Sequence, residues 1–236
     1  MVEAGAPWPQ AAQTGSAHDA PLEVVAADQH LIVLNKPADL LSVPGKGPQG
    51  ADCLSARVQA RWPDALVVHR LDMATSGLIV MARGLPAQRA LSQAFAQRQT
   101  HKRYIAVVDG LVDEEAHGHD DAGWHTTDLP LIVDWPNRPR SMVCHERGKP
   151  SLTRWQVLSR DPERCTTRLL LAPVTGRSHQ LRVHLLALGH PILGDTLYAS
   201  GRAQAASDRL LLHATCLGLP HPTSGEWMEW NIPAPF

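Results

Sequence analysis

Short apolar runs, bounded by Gly, Pro or charged residues, dominate this chain, and stretches with helical periodicity are few. His30–Lys36, Gly77–Ala82 and Arg103–Val108 read as strands, and further strands are expected near 151–159, 166–173, 209–219 and 226–232. One helix is expected from Asp52, a capping residue, to Trp62, with Pro63 stopping it. A second is expected over 86–98, where Leu85, Ala90, Leu91, Ala94 and Phe95 recur at roughly helical spacing behind Pro86. A third runs from Ser178 to Gly189, a residue suited to the position after a helix. Clustered strands with scattered helices argue against regular βαβ winding. They predict an α+β fold with a mixed, mostly antiparallel sheet and flanking helices.

The 236 residues can bury a substantial core, as one large domain or as two small ones sharing a sheet. Residues 1–20, rich in Ala, Gly, Pro and Gln without apolar period, read as a disordered tail, so the ordered domain is expected over 21–236. Net charge is only −1, but it is unevenly spread. Residues 136–190 hold ten Lys or Arg against three acids, whereas 113–128 hold six acids and no Lys or Arg. A nearly neutral chain can thus still turn a basic face to phosphates. The four cysteines form no CxxC pair, which favours free thiols in a reducing compartment over a disulfide frame or zinc site. No apolar run approaches a membrane-spanning length, and no signal-peptide pattern opens the sequence. The expectation is a cytoplasmic monomer without membrane contact.

Two segments carry candidate chemistry. In Val68-His-Arg-Leu-Asp-Met-Ala-Thr-Ser-Gly77, Asp72 lies on a loop feeding a buried strand, where a carboxylate can be aimed at a substrate. Thr75 and Ser76 can hydrogen-bond that loop, and Gly77 permits the turn. Ser76 lacks a Gly-x-Ser-x-Gly elbow, so a serine hydrolase is not indicated. The second segment, 113–128, sets His117, His119 and His125 among carboxylates. Its spacing fits no standard finger, and a solvated acidic loop is the expectation rather than a metal site.

His69-Arg-Leu-Asp-Met-Ala-Thr-Ser-Gly77 resembles the catalytic signature of the RluA-type pseudouridine synthases. Asn35-Lys-Pro37 with Leu41–Gly45 is similar to that family's opening segment, and Lys102-Arg-Tyr104 to its tyrosine-bearing strand. Thr175–His184 is similar to its arginine-bearing segment, and Gly189–Asp195 and Leu210–Ala214 complete the order. The matches span about residues 24–235 and leave no room for the S4 RNA-binding domain of larger relatives. Asp128–Pro139 is similar to the small members, whose substrates are transfer RNA at position 32 and 23S ribosomal RNA at position 746.

The resemblance implies a catalytic cleft across the sheet, RNA as partner, and neither cofactor nor metal, because the isomerisation involves no net redox change or hydrolysis. It implies three catalytic residues. Asp72 acts at the anomeric carbon, as nucleophile or as stabiliser of an oxocarbenium or glycal-like intermediate. Arg182 offsets the cost of burying that carboxylate. Tyr104 stacks beside the base or assists removal of the C5 proton. His69 and Arg70 are suited to the stack vacated by a flipped uridine, or to neighbouring phosphates. Thr75, Ser76, Arg177, His179 and Gln180 complete the expected RNA-binding set, while His184, His190 and His213 are assigned no catalytic part. The alternatives are a non-catalytic RNA-binding or RNA-folding module on the same fold, and a metal-dependent hydrolase built on the 113–128 segment.

Overall fold

The computed structural model describes residues 21–236; the expected tail over 1–20 lies outside the described residues. The chain runs β1 (Glu23–Ala27), β2 (Leu31–Lys36), α1 (Leu54–Arg61), β3 (Ala65–Val67), β4 (Ser76–Arg83) and α2 (Gly84–Ala96). It continues through β5 (His101–Asp109), β6 (His125–Asp128), β7 (Leu131–Val133), β8 (Ser141–Val143), β9 (Leu152–Asp161) and β10 (Thr166–Pro173). Then follow α3 (Gln180–Ala187), α4 (Gly201–Ala205), β11 (Leu212–Pro220) and β12 (Trp227–Asn231). The pairings are mostly antiparallel, with one parallel pair, so the α+β fold with a mixed sheet is as expected.

Two compact units divide the described chain, one of residues 21–102 with His213–Pro235, the other of Arg103–Leu212 with Phe236. In the first, β4 is the hub. Seven of its eight residues are buried, which is why its sequence is a continuous apolar run rather than an alternating one. β2 pairs antiparallel along one edge of β4, and the other edge is shared by β3 at Met81–Arg83 and β11 at Ser76–Gly77. The period of two sends Leu78, Val80 and Ala82 to one face, where they pack with Leu31 and Val33, Ala87 and Leu91 of α2, and Leu217 and Leu219 of β11.

In the second unit β5, β10, β9 and β6 form an antiparallel array, and β7 and β8 make a separate hairpin. Residues Gln180–Leu185 of α3 are all buried, and the helix packs on β8, β9 and β10. Val183 joins Leu131 and Tyr198 in a small core with Val143, Leu186 and Leu197 around it.

Several boundaries differ from the sequence reading. Asp52 does not cap α1; Cys53 occupies the cap, and Asp52 instead takes two hydrogen bonds from Arg57, both at 2.7 Å. The segment 113–128 is not a solvated loop throughout, since His125–Asp128 is strand β6 paired to β9. Tyr104 stands on β5 opposite Leu171, as its strand reading requires.

Candidate active site

Asp72 is half-buried on the loop between β3 and β4. Its backbone is pinned from three directions. Lys36, at the end of β2, is 0 % exposed, and its ammonium donates to Pro37 O and Leu40 O, both at 2.8 Å, and to Met73 O at 2.9 Å. An ammonium has three N–H donors, and three carbonyls meet them, which offsets the cost of burying the charge. Ser42 donates its hydroxyl to Leu71 O at 2.6 Å and accepts the Leu71 N–H at 3.1 Å. Thr75 N–H donates to Asp72 O at 3.1 Å. The carbonyls of three consecutive residues, Leu71, Asp72 and Met73, are therefore fixed by partners outside the strand ladder. Sequence reasoning missed Lys36 and Ser42 as anchors, although both stand in the Asn-Lys-Pro and Leu-Ser-Val-Pro-Gly strings it singled out.

Where the loop enters β4, Ser76 Oγ lies 2.8 Å from His213 Nδ1, and Thr75 and Ser76 are both buried. Gly77 has φ +112°, and a Cβ there would stand 2.3 Å from Ala214 O. Gly77→Ala would need both a strained backbone and displacement of β11, so we expect it to cost about 2–4 kcal/mol. A thermal melt checks this, and an unshifted midpoint would contradict it.

His69 was expected at the RNA, but the contacts of its ring are internal. Nε2 accepts the Val80 N–H at 3.1 Å, and the ring stacks on Phe95 with centroids 4.5 Å apart. Burial, with the Lys102 charge adding to it, pushes its pKa down to about 3. The folded state then binds fewer protons than the unfolded one between about 3 and the ordinary 6.5. The stability His69 contributes is complete above that ordinary value and is lost as pH falls through this window. His69→Gln should flatten the fall of melting temperature over that range, and an unchanged slope would refute the assignment. Arg70, by contrast, is exposed.

In the other unit, Arg182 lies on α3 and is 4 % exposed. Its Nε donates to Asp195 Oδ2 at 2.7 Å and its Nη2 to Asp195 Oδ1 at 2.6 Å, a two-pronged pair in which Asp195 is 1 % exposed. Asp195 Oδ1 also accepts the N–H groups of Leu197 and Tyr198, at 2.9 and 3.1 Å. The Tyr198 ring lies under the Arg182 guanidinium at 5.0 Å. Asp195 is a third residue the sequence reading missed; its signal was a Gly-Asp pair closing a motif already singled out. Gly194 admits the turn, since a Cβ there would stand 1.9 Å from Arg209 O.

Gln180, expected to touch RNA, is buried, and its amide is engaged inside the protein. Its Oε1 accepts from Thr175 Oγ1 at 2.7 Å and Arg177 N at 3.1 Å, while its Nε2 donates to Leu152 O at 2.9 Å and Thr153 Oγ1 at 3.0 Å. It shapes the loop before α3 from within. His179 is half-buried in the left-handed region, with Nδ1 2.7 Å from Tyr198 Oη. Arg177 is exposed. The expected residues thus fall into two groups, His69, Arg70, Asp72, Thr75 and Ser76 in one unit and Tyr104, Arg177, His179, Gln180 and Arg182 in the other.

Two of the six acids of 113–128 meet arginines. Glu114 pairs with Arg160 at 2.6 Å and lies 3.4 Å from His125; Asp120 pairs with Arg154. His125 is buried and stacked on Trp155, with His117 edge-on to the same indole. Among the described residues, one trio of possible metal ligands, His101, Cys216 and Glu229, lies with its donor atoms within 4.8 Å. There His101 Nδ1 and Glu229 Oε2 are 2.9 Å apart, within hydrogen-bond distance.

The sequence profile of RNA pseudouridylate synthases matches residues 30–187. The chain is 51% identical over 213 residues to the dual-specificity RNA pseudouridine synthase RluA of Yersinia pestis, covering 90% of this chain and 99% of that protein. It is 48% identical over 215 residues to the protein of the same name from Escherichia coli strain K12, covering 91% and 94%. Among solved structures it is similar to human RNA pseudouridylate synthase domain containing 1, at TM-score 0.74 and 30% identity over 95% of this chain and 87% of that one. With a profile match across most of its length and half its residues shared with full-length relatives, this chain belongs to the RNA pseudouridylate synthase family.

Proposed function

We propose that this chain converts uridine to pseudouridine in two kinds of RNA, transfer RNA at position 32 and a 23S ribosomal RNA loop at position 746, with Asp72 as the catalytic carboxylate. The reaction breaks the N1–C1′ bond, turns the base and joins C5 to C1′; the C5 proton is lost and N1 gains one. Asp72 supplies the carboxylate in either route, by attack at C1′ or by stabilising the cationic or glycal-like sugar. Arg182 and Tyr104 serve the same reaction, the first as counter-charge and the second beside the base.

The observation that carries this reading is the pinning of the backbone at Leu71, Asp72 and Met73 by Ser42, Thr75 and Lys36, which holds one carboxylate on a rigid platform in a member of this family. Preorganisation of that kind is what a reacting group requires. Exposed Arg70 and Arg177 suit contacts with phosphates, and shape rather than a linear code selects the loop. The relatives named dual-specificity support two substrates. The protein works as a monomer in the cytoplasm, to which its four free cysteines are suited. Among the described residues no helix is long and apolar enough to cross a membrane.

Mapping pseudouridines by chemical adduct and reverse-transcription stops, in cells with and without the gene, tests the substrates. The two sites should disappear together on deletion and return with the wild-type gene. Persistence of both would overturn the reading; loss of one alone would overturn dual specificity.

A further inference from the structure

The β7–β8 hairpin presents a side-chain arrangement that the isomerisation does not need. Trp135, at its tip, is 64 % exposed, and the Arg138 guanidinium lies 4.3 Å from its ring centroid. The indole carries a cation over its ring and still leaves most of the residue's surface exposed. The tip is ordered from within: Asp134 N–H donates to Arg140 O at 2.9 Å, Asn137 N–H to Asp134 O at 3.1 Å, and Arg140 N–H to Asn137 O at 3.0 Å. Asn137 Nδ2 adds a bond to Asp134 Oδ2 at 2.9 Å. An indole held out on a rigid turn needs no further ordering to receive a flat partner.

The base of the hairpin reaches Arg182. Arg140 lies over the Tyr198 ring at 5.2 Å, and Arg182 lies over the same ring at 5.0 Å. Tyr198 Oη accepts the Ser141 N–H at 2.7 Å, tying the ring to β8. Asp134, Arg140 and Tyr198 also border a mostly apolar hollow of about 160 Å³. Between Leu129 and Pro150 the sequence carries four basic residues and two acids, so the field there favours a polyanion.

We infer that Trp135 and Arg138 form a docking platform on which an unpaired base flanking the target uridine stacks, with Arg138 beside its phosphate. Resting on the reading of the chain as an RNA uridine isomerase, the inference names where the substrate loop is gripped. Any base has a π-face, so the contact strengthens binding without reading sequence.

The test measures binding of a labelled synthetic RNA stem-loop with a loop uridine, and the single-turnover rate at saturating RNA, for the full-length protein. Trp135→Ala should weaken binding roughly tenfold, the span expected for one lost base–aromatic stack, with the saturated rate unchanged. Trp135→Phe should retain most of the affinity. Arg138→Ala should give a smaller loss that shrinks as salt is raised. Melting temperatures equal to wild type confirm that the exposed tip can be changed without unfolding. Unchanged affinity in Trp135→Ala, or a loss confined to the saturated rate, would overturn the inference. Absence of pseudouridine in the wild-type reaction would instead sink the functional reading beneath it.

Discussion

Replacing Asp72 by Asn stops pseudouridine formation while the protein stays folded and still binds RNA. Asn keeps the size of the side chain and removes its charge and nucleophilicity. Lys36, Ser42 and Thr75 hold the loop through its backbone, which Asn leaves in place, so the loop keeps its shape. Loss of a reacting group costs on the order of a thousandfold or more in rate, far beyond a binding effect. Nucleoside analysis of a stem-loop after prolonged incubation reads the product directly. A variant with wild-type turnover would remove Asp72 from the mechanism, and one that fails to melt cooperatively would show that its carboxylate is structural.

The second large effect is on Asp195. Arg182 and Asp195 are both almost wholly inaccessible to water, and removing one partner breaks a buried two-pronged charge pair, at a cost of about 3–5 kcal/mol. Asp195→Asn should therefore lower the melting temperature sharply. It should also lower kcat with little change in KM, because Asp195 fixes the direction of the guanidinium rather than touching RNA. Arg182→Met with Asp195→Leu separates the two roles: an apolar pair of similar size restores much of the stability and none of the activity. Recovery of activity in that double variant would show that Arg182 acts only as a structural cation.

The elements legible in the sequence are those whose signal is local. β4 is readable because seven buried residues in a row leave an uninterrupted apolar run. α2 is readable from Leu91 and Ala94, which are buried as the spacing requires, whereas Leu85 is exposed and the buried Ala87 is not among the residues read. β6 is not, because His-Thr-Thr-Asp carries no apolar alternation and becomes a strand only by pairing with β9, more than twenty residues away. β7 and β8 are three residues each and exist through one another. The motifs pointed to Asp72 and Arg182 as candidates, but not to the side chains that hold each of them in its own unit. Lys36 and Asp195 are charged side chains buried almost completely, and composition alone places such residues at the surface. Their partners include a backbone carbonyl thirty-seven residues on and a guanidinium thirteen residues back, distances at which single-sequence patterns are silent. Gln180 and His69 differ in the opposite sense: polar residues beside a motif suggested ligand contacts, and their side chains make hydrogen bonds or ring contacts inside the protein.

Rejoining the base through C5 must release the hydrogen carried there, whichever route the sugar takes. Transcripts of the two proposed substrate loops labelled with tritium at C5 of uridine therefore provide the most direct measurement. Purified wild-type protein should release one tritium to water for each uridine converted, and Asp72→Asn should release none from either transcript. Tritium retained by the wild type, or released equally by the variant, would contradict the account.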